Sequence, residues 1–286
     1  MVESPDNAPF PRRRAGMMRH EPEQQDEMNG MAYERITTNG IELEVLRRGA
    51  GTPVLLLHGF DSVHPNAPFL DPLSRHAEII APSSPGFGNS PRPADFDTMY
   101  DLVHLYRSLI DDLPYERVTL MGLSFGGWLA AEVAIACQHK LDKLILVDPV
   151  GIKIGDRESR DILDIFNVNP AEVRRASWHD PAKGPNYDAM TDDELIVHAR
   201  NWESLCLYTW HPLLYNPQLK PWLARIKVPT LFLWGDSDRL VTPEYGRAYS
   251  ALVPGSRFEL IAGAGHHPEL EQPERFATAV SGFISG

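Results

Sequence analysis

The chain has 286 residues, 43% of them hydrophobic, and a formal charge of −12. This length suits one large α/β domain, or a domain with an insertion, and the apolar content is ample for a sizeable core. The acidic balance argues against a nucleic-acid partner, because such proteins present a basic face. The one basic cluster, Arg12-Arg13-Arg14, sits among Pro, Glu and Asn in a polar stretch. The two cysteines, Cys137 and Cys206, lie in apolar, helix-like settings and read as reduced core residues. No Cys/His grouping has zinc spacing, so no metal is expected. No apolar run is long enough to span a bilayer, and the first thirty residues lack a secretion signal, so a cytoplasmic location is expected.

Residues 1–32 are polar and aperiodic and read as a flexible tail. Asn39-Gly40 between the alternating runs Tyr33 to Thr38 and Ile41 to Arg48 predicts a hairpin. Val54 to Leu57 is a continuous apolar run suited to a strand buried on both faces, and Glu78 to Ala81 is a shorter one. The stripe Met99, Leu102, Leu105, Tyr106, Leu109, Ile110 and Leu113 predicts a helix over 98–113, stopped by Pro114. The strand-like Val118 to Leu123 ends in Gly122-Leu123-Ser124-Phe125-Gly126-Gly127, and a helix follows over Trp128 to Cys137. Leu144 to Val147 is another buried strand. This alternation predicts a mostly parallel sheet with helices on both faces.

The alternation stops after Pro149. Residues 151–220 hold helix starts instead of strands: Asn169-Pro170-Ala171-Glu172 and Thr191-Asp192-Asp193-Glu194 both look like capping boxes. Strands at Leu231 to Trp234 and Phe258 to Ile261 and helices at Pro243 to Leu252 and Pro273 to Ile284 complete the chain. The expected organisation is a core of residues 33–150 and 221–286 with a helical insertion at 151–220.

A glycine-flanked serine between a strand and a helix has the form of a nucleophile elbow, with the side chain exposed at a strained turn. Ser124 then needs a base, an orienting acid and oxyanion donors. Gly263-Ala264-Gly265-His266-His267-Pro268 follows the last strand and offers the base. Trp234-Gly235-Asp236-Ser237-Asp238-Arg239 follows the preceding strand; Asp236 suits a turn, and Asp238 is the better acid. The expected oxyanion donors are the backbone N–H groups of Phe125, at a helix N-terminus, and Phe60, in His58-Gly59-Phe60. His58 is expected to order that loop. Asp148, at the end of the sixth strand, is an alternative acid or a turn residue.

The pieces Leu57-His58-Gly59-Phe60, Pro85-Gly86-Phe87-Gly88-Asn89-Ser90, Gly-Leu-Ser-Phe-Gly-Gly, Trp234-Gly235-Asp236-Ser237-Asp238 and Gly265-His266 together resemble the α/β-hydrolase superfamily from about residue 33 to the end. The resemblance implies the α/β-hydrolase fold, Ser124, Asp238 and His266 as a catalytic triad, and a helical cap at 151–220 after the sixth strand. Ser124 argues against epoxide hydrolases and haloalkane dehalogenases, which use Asp there. Esterases, lactonases, carbon–carbon bond hydrolases and cofactor-free peroxidases of this superfamily keep Ser. The elbow and the Trp-Gly-x-x-Asp-Arg segment also resemble meta-cleavage product hydrolases, which usually carry Trp after the catalytic His, where this chain has His267.

The expected activity is therefore hydrolysis of a small, largely apolar acyl substrate, with no cofactor. Carbon–carbon hydrolysis is the alternative. A ligand-binding protein that retains the triad, as some plant hormone receptors of this fold do, is an alternative of another class. Trp202, Trp210, His211 and His267 are the candidate pocket residues; a homo-oligomer is compatible with the sequence.

Overall fold

A computed structural model describes residues 33–156, 158–210 and 212–286. The expected tail at 1–32, with its arginine cluster, lies outside the described residues, as does His211. Among the described residues, eight strands form one sheet in the order β1-β2-β4-β3-β5-β6-β7-β8. They are β1 Tyr33–Thr38, β2 Ile41–Arg48, β3 Thr52–Leu57, β4 Ala77–Pro82, β5 Val118–Leu123, β6 Leu141–Val147, β7 Thr230–Gly235 and β8 Arg257–Ile261. The β1–β2 and β2–β4 pairs are antiparallel, and every pairing from β4 through β8 is parallel. The hairpin turns at Asn39 and Gly40, both at positive φ (49° and 78°), as a tight hairpin turn requires.

Among the described residues the α-helices are α1 Leu70–Ser74, α2 Met99–Asp112, α3 Phe125–Cys137, α4 Pro170–Ser177, α5 Asp192–Thr209, α6 Pro243–Ser250, α7 Pro268–Glu271 and α8 Pro273–Ser285. Successive strand residues face opposite sides, which divides the core in two. Leu55, Leu57, Leu120, Leu144, Leu146 and Phe232 pack with α2 and α3 on one side. Val54, Leu56, Met121, Ile145, Val147 and Leu233 pack with α1 and α8 on the other. With both faces covered, the central strands read as unbroken apolar runs.

Several boundaries differ from the expected ones for local reasons. The third helix begins at Phe125 rather than Trp128, because Gly126 and Gly127 lie in its first turn despite their low helix propensity. A Cβ on Gly126 would come within 2.3 Å of the Leu57 and His58 carbonyl oxygens, and one on Gly122 within 2.1 Å of Gly126 O. The glycines thus let β5, α3 and the β3 end approach closely. At Thr191 the reciprocal capping box forms with Glu194, whereas Asn169 caps α4 in one direction only, by accepting the Glu172 N–H. Cys137 is buried, but Cys206 is only partly so, and the expectation of a core residue is corrected there.

Between β6 and β7, among the described residues, lie α4, α5 and short 3₁₀ turns; only two isolated bridges, Gly151 to Tyr215 and Ile162 to Val241, touch extended backbone. Residues 33–286 form one compact unit. Helix α5 is bonded to the Pro85–Ser90 loop: Ser204 Oγ donates to Gly86 O (2.8 Å), Tyr208 Oη to Pro85 O (3.0 Å), and Gly88 N–H to Asn201 Oδ1 (3.0 Å). No helix among the described residues is long and apolar enough to cross a membrane.

Candidate active site

In the order 4-3-5, β3 and β5 are neighbours whose connections run to opposite sides, a topological switch point at which open α/β sheets leave a crevice beyond the strand carboxyl ends. Gly59 and Phe60 follow β3, and Ser124 follows β5, so both loops border this crevice. The loops after β7 and β8 carry Asp238 and His266 to the same edge.

Ser124 has φ 49° and ψ −111°, a strained conformation for a residue with a Cβ. It is held there by its own backbone. Its N–H donates to Val147 O (2.8 Å), and its carbonyl accepts from Gly127 (2.9 Å) and Trp128 (3.1 Å). The side chain is thereby turned out toward His266, whose Nε2 lies 2.7 Å from Ser124 Oγ. His266 Nδ1 lies 2.7 Å from Asp238 Oδ2. The other carboxylate oxygen of Asp238 accepts the Leu240 and Val241 N–H groups (2.8 and 3.1 Å), which orients it. Asp238 and His266 are both buried, so their contact is shielded from water. With Nδ1–H donated to the carboxylate, Nε2 is free to accept a proton from the serine. This arrangement can activate a hydroxyl for attack on a carbonyl.

Asp236 is exposed and serves the turn: its Oδ1 accepts the Gly263 N–H (3.1 Å) and the Ser237 hydroxyl (2.9 Å). Among the described residues, the Phe60 and Phe125 N–H groups donate to no protein acceptor. The Phe125 ring is buried and stacks with Phe87 and Tyr208, and the Phe60 ring meets Trp202 edge-on (5.2 Å). Both backbones are thus anchored through their side chains. Gly59 passes close to the elbow; a Cβ there would sit 3.5 Å from Ser124 Cβ.

His58 is buried behind this loop. Its Nε2 accepts the Ser84 N–H (2.9 Å), and Nδ1 lies 2.9 Å from Gly59 O. This pattern needs the neutral, Nδ1-protonated ring. Burial lowers its pKa to about 4 against the ordinary 6.5, with the Gly59 carbonyl opposing. Unfolding releases the ring to bind a proton between those values, so stability is intact above pH ~6.5 and falls as pH drops toward 4. The expected loss is about 3 kcal/mol. Urea melts across this range should show it, and His58→Gln should flatten that part of the slope. An unchanged slope in the variant would assign the acid sensitivity to other groups.

A cavity of about 800 Å³ opens above Ser124. Val150, Ile165, Leu205, Leu214 and Trp202 supply apolar wall, and Arg174 and His198 are among its polar members. Trp202 and His267, two of the candidate pocket residues, line it. Trp210 does not: it is 61% exposed and borders a second groove, which Trp202 and Cys206 also line. Residues 198, 202 and 205 share the inward face of the helix, and position 210 lies past its last turn.

His267 packs on Trp178 of the inserted segment, with ring centroids 4.7 Å apart. An aromatic ring therefore reaches this wall from the insertion rather than from the position after His266. Burial disfavours the His267 imidazolium, but Glu269, 3.6 Å away, together with Asp238 and Glu271, outweighs it and raises the pKa.

Sequence reasoning missed the contacts that tie the insertion to the histidine loop. Glu271, nearly buried, accepts N–H groups from Gly265 (2.6 Å), His179 (3.1 Å) and Asp180 (3.0 Å). His266 N–H donates to Ser177 O (2.6 Å), and Arg239 N–H to Ala176 O (3.0 Å). The last turn of α4 and the residues just after it therefore brace both the acid loop and the histidine loop. A Glu three residues past a Pro carries no signal of this in sequence. Asp148, Asp238 and His266 are the one grouping among the described residues with metal-like spacing, and two of them are engaged with each other.

Residues 54–279 match the model of the alpha/beta hydrolase family. The chain belongs to the alpha/beta hydrolase family. Among its relatives, it is 27% identical over 271 residues to a 2-hydroxy-6-oxo-2,4-heptadienoate hydrolase of Pseudomonas putida, covering 87% of this chain and 95% of that one. It is 26% identical over 290 residues to a 2-hydroxy-6-oxo-6-(2'-aminophenyl)hexa-2,4-dienoic acid hydrolase of Metapseudomonas resinovorans, covering 94% and 97%. It is also similar to the solved structure of a thermophilic esterase from Thermogutta terrifontis, with a TM-score of 0.61, 27% identity and coverage of 89% and 98%.

Proposed function

We propose that this alpha/beta hydrolase is a serine hydrolase acting on a carboxylic ester, or a related acyl bond, of a small, largely apolar substrate. The observation that carries this reading is the unbroken chain Ser124 Oγ, His266 and Asp238, with both links at 2.7 Å. His266 takes the serine proton as Oγ attacks the carbonyl carbon. Asp238 keeps the ring in the tautomer that can do so and stabilises the imidazolium. The Phe60 and Phe125 amides receive the oxyanion, the second from a helix N-terminus whose dipole favours negative charge. His266 then protonates the leaving alkoxide. Water, activated by the same ring, attacks the acyl-enzyme and frees Ser124. The insertion at 151–220 acts as a cap whose apolar wall selects the substrate.

A second reading is hydrolysis of a carbon–carbon bond in a ring-fission product. The names of the two dienoate hydrolases favour it. His267 weakens it, since the resemblance to meta-cleavage product hydrolases places Trp there. One assay separates them: fluorophosphonate labelling of Ser124 to establish the nucleophile, then kcat/KM for a graded ester series beside 2-hydroxy-6-oxo-2,4-heptadienoate. Esters are expected to turn over repeatedly and faster. Preference for the dienoate would select the second reading. A single turnover with every substrate would favour a receptor-like role.

A further inference from the structure

Asp148 sits directly after β6 with φ 42°, fully buried. Its N–H donates to Leu233 O (3.0 Å), and its Oδ1 accepts the Gly235 N–H (3.0 Å). A turn residue at the base of the acid loop needs nothing more, and asparagine would supply both contacts. Oδ2 has no hydrogen-bond partner among the described residues. A buried carboxyl oxygen without a partner is costly and calls for an explanation. Its surroundings suggest one: an oxygen of Asp148, an oxygen of Asp238 and a ring nitrogen of His266 all lie within 4.8 Å of one another.

We propose that Asp148 is a reserve acid of this site, a positioning residue that shares one negative charge with Asp238 and supports His266 when Asp238 is lost. The proposal rests on the Ser124–His266–Asp238 reading. Two buried carboxyl groups this close do not both ionise readily. Asp238, with two N–H donors on Oδ1 and the imidazole on Oδ2, is the better place for the charge. Burial, then the Asp238 charge, pushes the Asp148 carboxyl well above the usual range; the Gly235 N–H opposes this and Glu269 adds to it. Glu269, Glu271 and Asp238 also surround His267 on the adjoining loop. Removing the Asp238 charge removes the nearest obstacle to ionising Asp148. The anion so formed lies close enough to favour an imidazolium at His266.

The test compares pH–rate profiles of Asp238→Asn and Asp148→Asn/Asp238→Asn on a reactive ester, with near-UV circular dichroism of each variant. Residual activity of Asp238→Asn is expected to climb with pH, relative to the unmutated enzyme, as Asp148 ionises. In the double variant the climb should vanish and the rate fall at least about tenfold further. Glu269→Gln in the Asp238→Asn background should keep the climb. Matching profiles and rates for Asp238→Asn and the double variant overturn the proposal, as does a climb abolished by Glu269→Gln instead. Should the double variant not fold, a level Asp238→Asn profile, relative to the unmutated enzyme, overturns it as well. Turnover surviving in Ser124→Ala would instead strike at the triad reading beneath it.

Discussion

Ser124→Ala is expected to reduce kcat by about 10⁴ to 10⁶, with KM little changed. That corresponds to roughly 5–8 kcal/mol of lost transition-state stabilisation. The reason is that the hydroxyl oxygen is the atom meant to form the acyl bond, and among the described residues no other nucleophilic side chain is hydrogen-bonded to His266 Nε2. What survives should be the contribution of the oxyanion amides and of binding. Stability should move little, within about 1 kcal/mol, because the backbone bonds at the elbow do not involve Oγ. The check is a matched pair of measurements: steady-state kinetics and fluorophosphonate labelling on one side, thermal unfolding on the other. Turnover close to that of the unmutated enzyme would remove Ser124 from the mechanism and leave the elbow a structural motif.

The second large effect concerns the two aspartates that share one loop. Asp238→Asn should cost about 10⁴ in kcat, since an amide facing Nδ1 favours the tautomer in which Nε2 already carries a proton. The geometry should survive, because Oδ1 of asparagine can still accept the Leu240 and Val241 N–H groups. Asp236→Asn should cost less than about tenfold in kcat and at most about 1 kcal/mol in stability, since its carbonyl oxygen can keep the bond from Gly263. The comparison is internal, with both variants in one loop and one assay. A larger loss for Asp236→Asn than for Asp238→Asn would reassign the acid.

Much of the fold is legible in the chain because its signals are local. Asn39-Gly40 carries the hairpin in two residues, and the stripe from Met99 to Leu113 carries a whole helix face. The central strands announce themselves because both faces of the sheet are covered, so each strand is apolar throughout. Signals fail where an element is short or its residues act against type. Helices α1 and α7, with five and four residues, have too few turns to show a period. Gly126 and Gly127 hide the first turn of α3, because they are there for close packing rather than propensity. The pocket was the least legible part. Trp202 and Trp210 look alike in sequence, yet eight residues along α5 and past its end separate a wall of the cavity from an exposed surface.

The candidate site divides in the same way. By itself the sequence determined the residue types and their order: a glycine-flanked serine after one strand, an aspartate after a later one, a histidine after the last, and a helical insertion between β6 and β7. Those follow from short-range patterns that each segment carries alone. The resemblance already favoured Asp238 and His266 over their neighbours; only the tertiary structure brings His266 to Ser124 and Asp238 to His266, because that depends on how four loops converge at one sheet edge. It also decided that Glu271 and the Ala176–Asp180 segment brace the histidine loop, and that Asp148 lies beside Asp238 with an oxygen unpartnered. Apart from the short Gly265–Glu271 bond, those relations join residues about 90 positions apart, and a separation of that kind is bridged by strand order and packing, which no local pattern encodes.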